Sequence, residues 1–238
     1  MIETGLALLF AHVLADFVFQ TSWIVSNKRN PVVLLLHGAI VLALSYFALG
    51  GSLAVAAYVA LAHLAMDSFK TYGLPDTLSS FMADQAVHLT TIVIAAVLAP
   101  TAFESGFWAD VHVLWMHIAL LASGFILTVT AGGYAIGHLM RPYQGVDLPK
   151  GLRGAGMLIG RLERGLIFIM LLAGQPTAVG FLIAAKSFLR FDAARDPKAG
   201  EYVIVGTLAS FGWALAVSWA TLYLQDLLPP LEIGATNP

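Results

Sequence analysis

Long apolar runs separated by short polar clusters dominate the chain. A membrane-crossing helix needs roughly 20 mostly apolar residues. The runs predict helices at about 3–20, 32–50, 53–71, 80–99, 113–140, 157–173, 176–191 and 200–227. The breaks carry turn chemistry. Pro31 suits the first position of the second helix, and "LGGS" separates the second from the third. "YGLPDT" offers Gly73 as a C-cap and Asp76 or Thr77 as an N-cap. "PTAFESGFWAD", with its Phe and Trp, is expected at the membrane interface. "GQP" is a tight break, and the segments on either side are short enough to form a re-entrant pair. The predicted fold class is all-α, a polytopic membrane helical bundle of about eight transmembrane or re-entrant helices. It divides into a four-helix domain (1–100), an interfacial segment with a fifth helix (101–140), a polar linker (141–156) and carboxy-terminal helices (157–238).

Polar residues interrupt the first four runs at related places. They are His12, Asp16, His37, His63, Asp67, Asp84 and His88. A shift of 51 positions carries His12 to His63, Asp16 to Asp67 and His37 to His88. The repeated unit is a helical hairpin, H-x3-D followed 21 residues later by His. Two such hairpins in tandem have the same orientation and are related by a pseudo-two-fold axis along the membrane normal. Residues four apart on a helix share a face. At about 1.5 Å per residue all seven groups fall at a common depth, in the same half of the bilayer.

Composition fixes the solvent. The 238 residues are 59% hydrophobic and 11% charged, with a mean hydropathy of +0.83. A soluble domain carries about 25% charged residues, so the surface must face lipid. A net charge of −2 points away from nucleic acid or any other polyanion. With no cysteine, disulfides and thiolate metal sites are excluded. The first apolar run lacks a basic n-region and a small-residue cleavage site, so a retained helix is expected. Lys28, Arg29, Lys70, Arg141, Lys150, Arg153, Arg190, Arg195 and Lys198 fall in or beside alternate connections, and the intervening ones contain no Lys or Arg. The positive-inside rule then places every basic loop in the cytoplasm of a bacterial inner membrane and both termini outside.

An ionisable group inside the membrane costs about 2.5–3.5 kcal/mol and must face a partner. Imidazole with carboxylate is the donor set of Zn, Fe or Mn. His12, Asp16, His37, His63, Asp67 and His88 are therefore candidate ligands for two divalent metals, or for one metal with a supporting shell, and Asp84 is a candidate general base. The same groups also satisfy the plain requirement that buried charges be paired. A second cluster lies near the carboxy-terminal helices. Arg161 and Arg164 share a helical face, as do Lys186 and Arg190, while Glu163 or Glu201 is the expected counter-ion of Lys186. The surplus of Arg suits an anionic substrate, a phosphoester or an anionic lipid.

The stretches "AHVLADFVFQTSW", "LLLHGAI", "HLAMDSFK" and "ADQAVHL" resemble a bacterial inner-membrane family catalogued as domain of unknown function thirty-three-oh-seven. That resemblance covers about residues 5–100. "GRLERGLI", "GFLIAAKSFLRF" and "EYVIVGTLAS" resemble motifs that accompany the domain over about 155–215. The resemblance implies a membrane location and no particular activity. The H-x3-D helices also resemble those of membrane-bound metal-dependent hydrolases, in spacing rather than in sequence. Three function classes follow: a cytoplasm-facing metal-dependent phosphoester or lipid hydrolase or transferase, a proton- or cation-coupled transporter using the same cluster, and a structural membrane partner protein. A pair of stacked haems is excluded, because each of the first four helices has one histidine where two are needed.

Overall fold

The computed structural model describes residues 1–109, 112–143, 145, 152, 154–189 and 197–231, and every regular element among them is helical. Helix α1 (Ile2–Leu14) continues into a π-helical turn at Ala15–Phe19, and a short α2 (Ser22–Asn27) follows. Then come α3 (Pro31–Ala48), α4 (Leu53–Gly73) and α5 (Leu78–Leu98). Helix α6 (His112–Ile126), a second π-helical turn (Leu127–Ala131) and α7 (Gly132–Met140) run on without a break. The last three are α8 (Ala155–Leu172), α9 (Pro176–Leu189) and α10 (Pro197–Asp226).

Among the described residues, six helices are long and apolar enough to cross a membrane: Ile2–Phe19, Pro31–Ala48, Leu53–Gly73, Leu78–Leu98, Val113–Tyr143 and Pro197–Asp226. The other two expected segments fall short for different reasons. Helix α8 carries Arg161, Glu163 and Arg164 within its 18 residues. Helix α9 has 14 residues, about 21 Å at 1.5 Å each, against a hydrocarbon core of about 30 Å.

The helix starts follow the predicted chemistry. The Asn30 side chain accepts the Val32 N–H ahead of Pro31, and Thr77 accepts from Ser80. Gly73, expected as a C-cap, is instead the last residue of α4, and Leu74 follows in extended conformation. At "LGGS" the chain closes α3 with a Schellman motif. Gly50 donates to the Phe47 carbonyl at 3.1 Å and Gly51 to that of Tyr46 at 2.9 Å, with φ of +71° and +108°. "GQP" closes α8 the same way, with Gly174 at φ +68°.

By Cα packing the chain divides into two units, Met1–Ser123 with Tyr223–Pro238, and Gly124–Leu222. In the first unit α1 packs on α3 and α5, and α4 packs on the same two helices, which closes a four-helix ring. Ala7, Ala11, Ala15, Ala60 and Ala95 let the backbones approach closely. Leu8, Val41, Val59, Ile92, Phe103 and Met116 belong to its apolar core. The segment after α5 was expected to lie at the interface, but it partly enters this core. Phe103 is wholly buried, its N–H donates to Thr4 Oγ1, and the Thr4 hydroxyl donates to the Pro100 carbonyl at 3.0 Å. Phe107 stays exposed, consistent with the interfacial expectation. Val32, Leu35, Leu61, Val93 and Leu98 point outward, as side chains facing lipid would.

In the second unit two side chains from other helices donate to main-chain carbonyls of the π-helical turn, that of Leu127 also accepting the Gly132 N–H. Arg164 donates to the Val129 carbonyl through Nε (3.3 Å) and Nη2 (2.9 Å), and Trp213 Nε1 donates to that of Leu127 at 3.0 Å.

Candidate functional site

The seven polar residues of the repeat meet at one end of the four-helix ring. His12 lies near the carboxyl end of α1 and Asp16 in the π-helical turn that follows, His63 at the middle of α4 with Asp67 one turn on, His37 in the first half of α3, and Asp84 in the first half of α5 with His88 at its middle. All seven are buried. The centre of the cluster is four atoms: His37 Nε2, His63 Nε2, Asp16 Oδ1 and Asp67 Oδ2. The two ring nitrogens are 3.1 Å apart. His37 Nε2 lies 3.2 Å from the Asp16 oxygen and 3.4 Å from that of Asp67, and His63 Nε2 lies 3.3 and 3.5 Å from the same two. Four ligands around Zn at bond lengths of about 2.0–2.1 Å form a tetrahedron with edges of about 3.3–3.4 Å.

More polar atoms crowd this centre than one hydrogen bond per ring nitrogen serves. His37 Nε2 also lies 3.0 Å from Gln20 Nε2, so four polar atoms surround one ring nitrogen. That nitrogen has one proton or one lone pair to offer. Asp16 Oδ1 faces both rings without a hydrogen bond of acceptable geometry. So do Asp84 Oδ1 and His88 Nε2, which face each other at 3.2 Å. Three residue sets each bring one donor atom apiece within 4.8 Å: His12, Asp16 and His63; His37, His63 and Asp67; Asp16, Asp84 and His88. Asp16 and His63 each belong to two of them.

The repeat is legible in the geometry. Exchanging the hairpins turns the pair His12–His88 into His63–His37, and both pairs have ring centroids 5.2 Å apart, at 51° and 58°. The H-x3-D pairs differ: His12 approaches Asp16 through Nδ1 at 3.9 Å, and His63 approaches Asp67 through Nε2 at 3.5 Å. Asp84 has no counterpart in the first hairpin and breaks the symmetry. It draws His88 to 3.2 Å, while His88 stands 4.0 Å from Asp67, where the equivalent His37–Asp16 distance is 3.2 Å.

Sequence reasoning missed the outer partners. Lys28 Nζ donates to Asp67 Oδ2 at 2.7 Å and Lys70 Nζ to Asp84 Oδ2 at 2.6 Å. Gln85 Nε2 donates to Asp16 and Asp84 at 3.3 Å, and its Oε1 lies 3.2 Å from His12 Nε2. Both lysines had served only as markers of loop orientation, though Lys70 sits inside the last turn of α4. Glutamine in an apolar helix was the overlooked signal, because a buried amide needs partners as a charge does. Counted with neutral imidazoles, three carboxylates and two ammonium groups leave the cluster one negative charge.

The carboxy-terminal candidates lie in the second unit. Lys186 Nζ meets Glu163 Oε2 at 2.6 Å, so Glu163 is its counter-ion, while Glu201 is exposed. Arg164 is buried and Arg161 exposed, so the expected shared face is split between interior and surface. Arg190 and the side chain of His112 lie outside the described residues. His117 is buried with Nε2 2.9 Å from the Pro229 carbonyl.

Residues 5–119 match a family model described as "Protein of unknown function (DUF3307)". No curated protein and no solved structure matches the chain. The matched stretch contains every member of the His/Asp cluster together with Lys28, Lys70 and Gln85.

Proposed function

We propose that this protein of the DUF3307 family holds a divalent metal, Zn, Fe or Mn, among His37, His63, Asp16 and Asp67, and uses it to hydrolyse or transfer a phosphoester at the cytoplasmic face of a bacterial inner membrane. The observation that carries the proposal is the set of ring-nitrogen and carboxylate distances between 3.1 and 3.5 Å among four buried side chains. One divalent ion changes the formal charge of the cluster from minus one to plus one, which favours an anionic ester. Bound metal lowers the pKa of its water towards neutrality. Asp84, held by Lys70 and Gln85 with Oδ1 3.2 Å from His88 Nε2, would take the water proton. A second ion would share Asp16 and take either His12 with His63 or His88 with Asp84, the two further donor sets that contain Asp16. Gln85 and Lys28 orient the carboxylates from outside, as second partners of metal ligands do.

A transporter is the second function, favoured by the two Lys–Asp pairs, since paired intramembrane charges also mark ion pathways. Elemental analysis of the purified protein with a phosphoesterase assay separates the two. The hydrolase predicts one or two equivalents of metal, lost in His63→Ala together with activity. Metal-free protein whose pH-driven uptake in proteoliposomes is abolished by Asp67→Asn supports transport instead.

A further inference from the structure

We infer that the second unit contains a separate binding site for a phospholipid with an anionic headgroup, centred on Arg164. A cavity of about 410 Å³ opens between α7, α8, α9 and α10, within the size range of small-molecule sites. Ile136, Met140, Met157 and Val203 give it apolar walls, and Glu163, Arg164 and Lys186 give it a charged side. Lys186 is neutralised by Glu163 at 2.6 Å. Arg164 is 4% exposed and bonds only to neutral acceptors, the Val129 carbonyl and Ser210 Oγ at 3.0 Å. Among the described residues no carboxylate lies within ion-pair distance of it. A buried guanidinium costs several kcal/mol without an opposite charge, and its planar fork matches a phosphate.

Glycine keeps that fork accessible. A Cβ on Gly133 would stand 3.2 Å from Arg164 Nη2, and one on Gly160 3.2 Å from Nη1. Larger residues there would cover the two terminal nitrogens. At Gly137 and Gly156 an added Cβ meets no heavy atom within 4 Å, so the cavity itself occupies the space where side chains would be. A charged end with apolar walls fits a headgroup phosphate and the first part of its acyl chains better than a free anion. This site stands independently of the His/Asp cluster.

The test is thermal melting of the full-length protein in neutral detergent with dioleoyl phosphatidic acid, dioleoyl phosphatidylcholine or inorganic phosphate. Phosphatidic acid is expected to raise the melting temperature by about 3 °C or more, with little effect from the other two. Gly137→Leu, whose Cβ meets no heavy atom within 4 Å, intrudes on the cavity, improves helix propensity, and is expected to abolish the shift. Arg164→Gln keeps a donor for Val129 and should at least halve it. An equal shift from phosphatidylcholine overturns the role of charge, and an equal shift from inorganic phosphate overturns the lipid. A full shift in Gly137→Leu overturns the location.

Discussion

His37 Nε2 has more polar neighbours than one ring nitrogen can serve, and the proposed cation would bind it together with His63, Asp16 and Asp67. His37→Ala and His63→Ala are therefore expected to lose bound metal while the helices stay assembled, as measured by elemental analysis beside circular dichroism. Chelation should lower the melting temperature of the wild-type protein and leave His63→Ala unaffected, because stabilisation by a ligand requires the site. Thr4 supports a different part of the same unit. Thr4→Val keeps the shape but strands the buried Phe103 N–H, while the Pro100 carbonyl keeps the Met1 amino group as donor, and should cost about 1–3 kcal/mol in a denaturation experiment. The H-x3-D spacing made His12, Asp16, His63 and Asp67 legible from sequence, since i and i+4 share a face whatever the tertiary fold. Lys28 and Lys70 were not legible in the same way. A long side chain at a helix end finds its partner only once neighbouring helices fix where that end lies.

The closures of helices are sensitive to single atoms. A Cβ on Gly50 would approach the Phe107 nitrogen to 2.7 Å, and its φ of +71° already disfavours any other residue. Gly50→Ala should thus cost at least about 1–2 kcal/mol, visible as a lower melting temperature. In the second unit a Cβ on Gly132 would come within 2.6 Å of the Trp213 ring. Gly132→Ala should displace the indole from the Leu127 carbonyl and destabilise by about 1–3 kcal/mol. Apolar runs and caps located the eight segments because length and Pro, Gly or Thr signals are local. The π-helical turns at Ala15–Phe19 and Leu127–Ala131 left no such trace. The second is held by tertiary partners, Arg164 and Trp213, which local pattern does not reveal.

Across the whole chain, charge asymmetry and helix length together predict a topology. The absence of native cysteine lets single introduced cysteines report on it cleanly. Cysteine at position 29 should be shielded from an impermeant thiol reagent in intact cells, and cysteine at position 51 should react. With six crossings and α8–α9 re-entrant, cysteine at position 175 should be shielded as well, whereas eight full crossings would expose it. The repeated hairpin explains why so much of the site could be read in advance: a duplicated motif at constant spacing sets both depth and facing direction. Its departure from symmetry at Asp84 required coordinates, because the first hairpin has no equivalent carboxylate to compare.

Anomalous diffraction from crystals grown with Zn, Mn or Fe, recorded on both sides of the metal edge, tests the central claim most directly. The predicted result is a difference peak about 2.0–2.2 Å from His37 Nε2, His63 Nε2 and the carboxylates of Asp16 and Asp67. A metal-soaked crystal with no peak among those four side chains would contradict it.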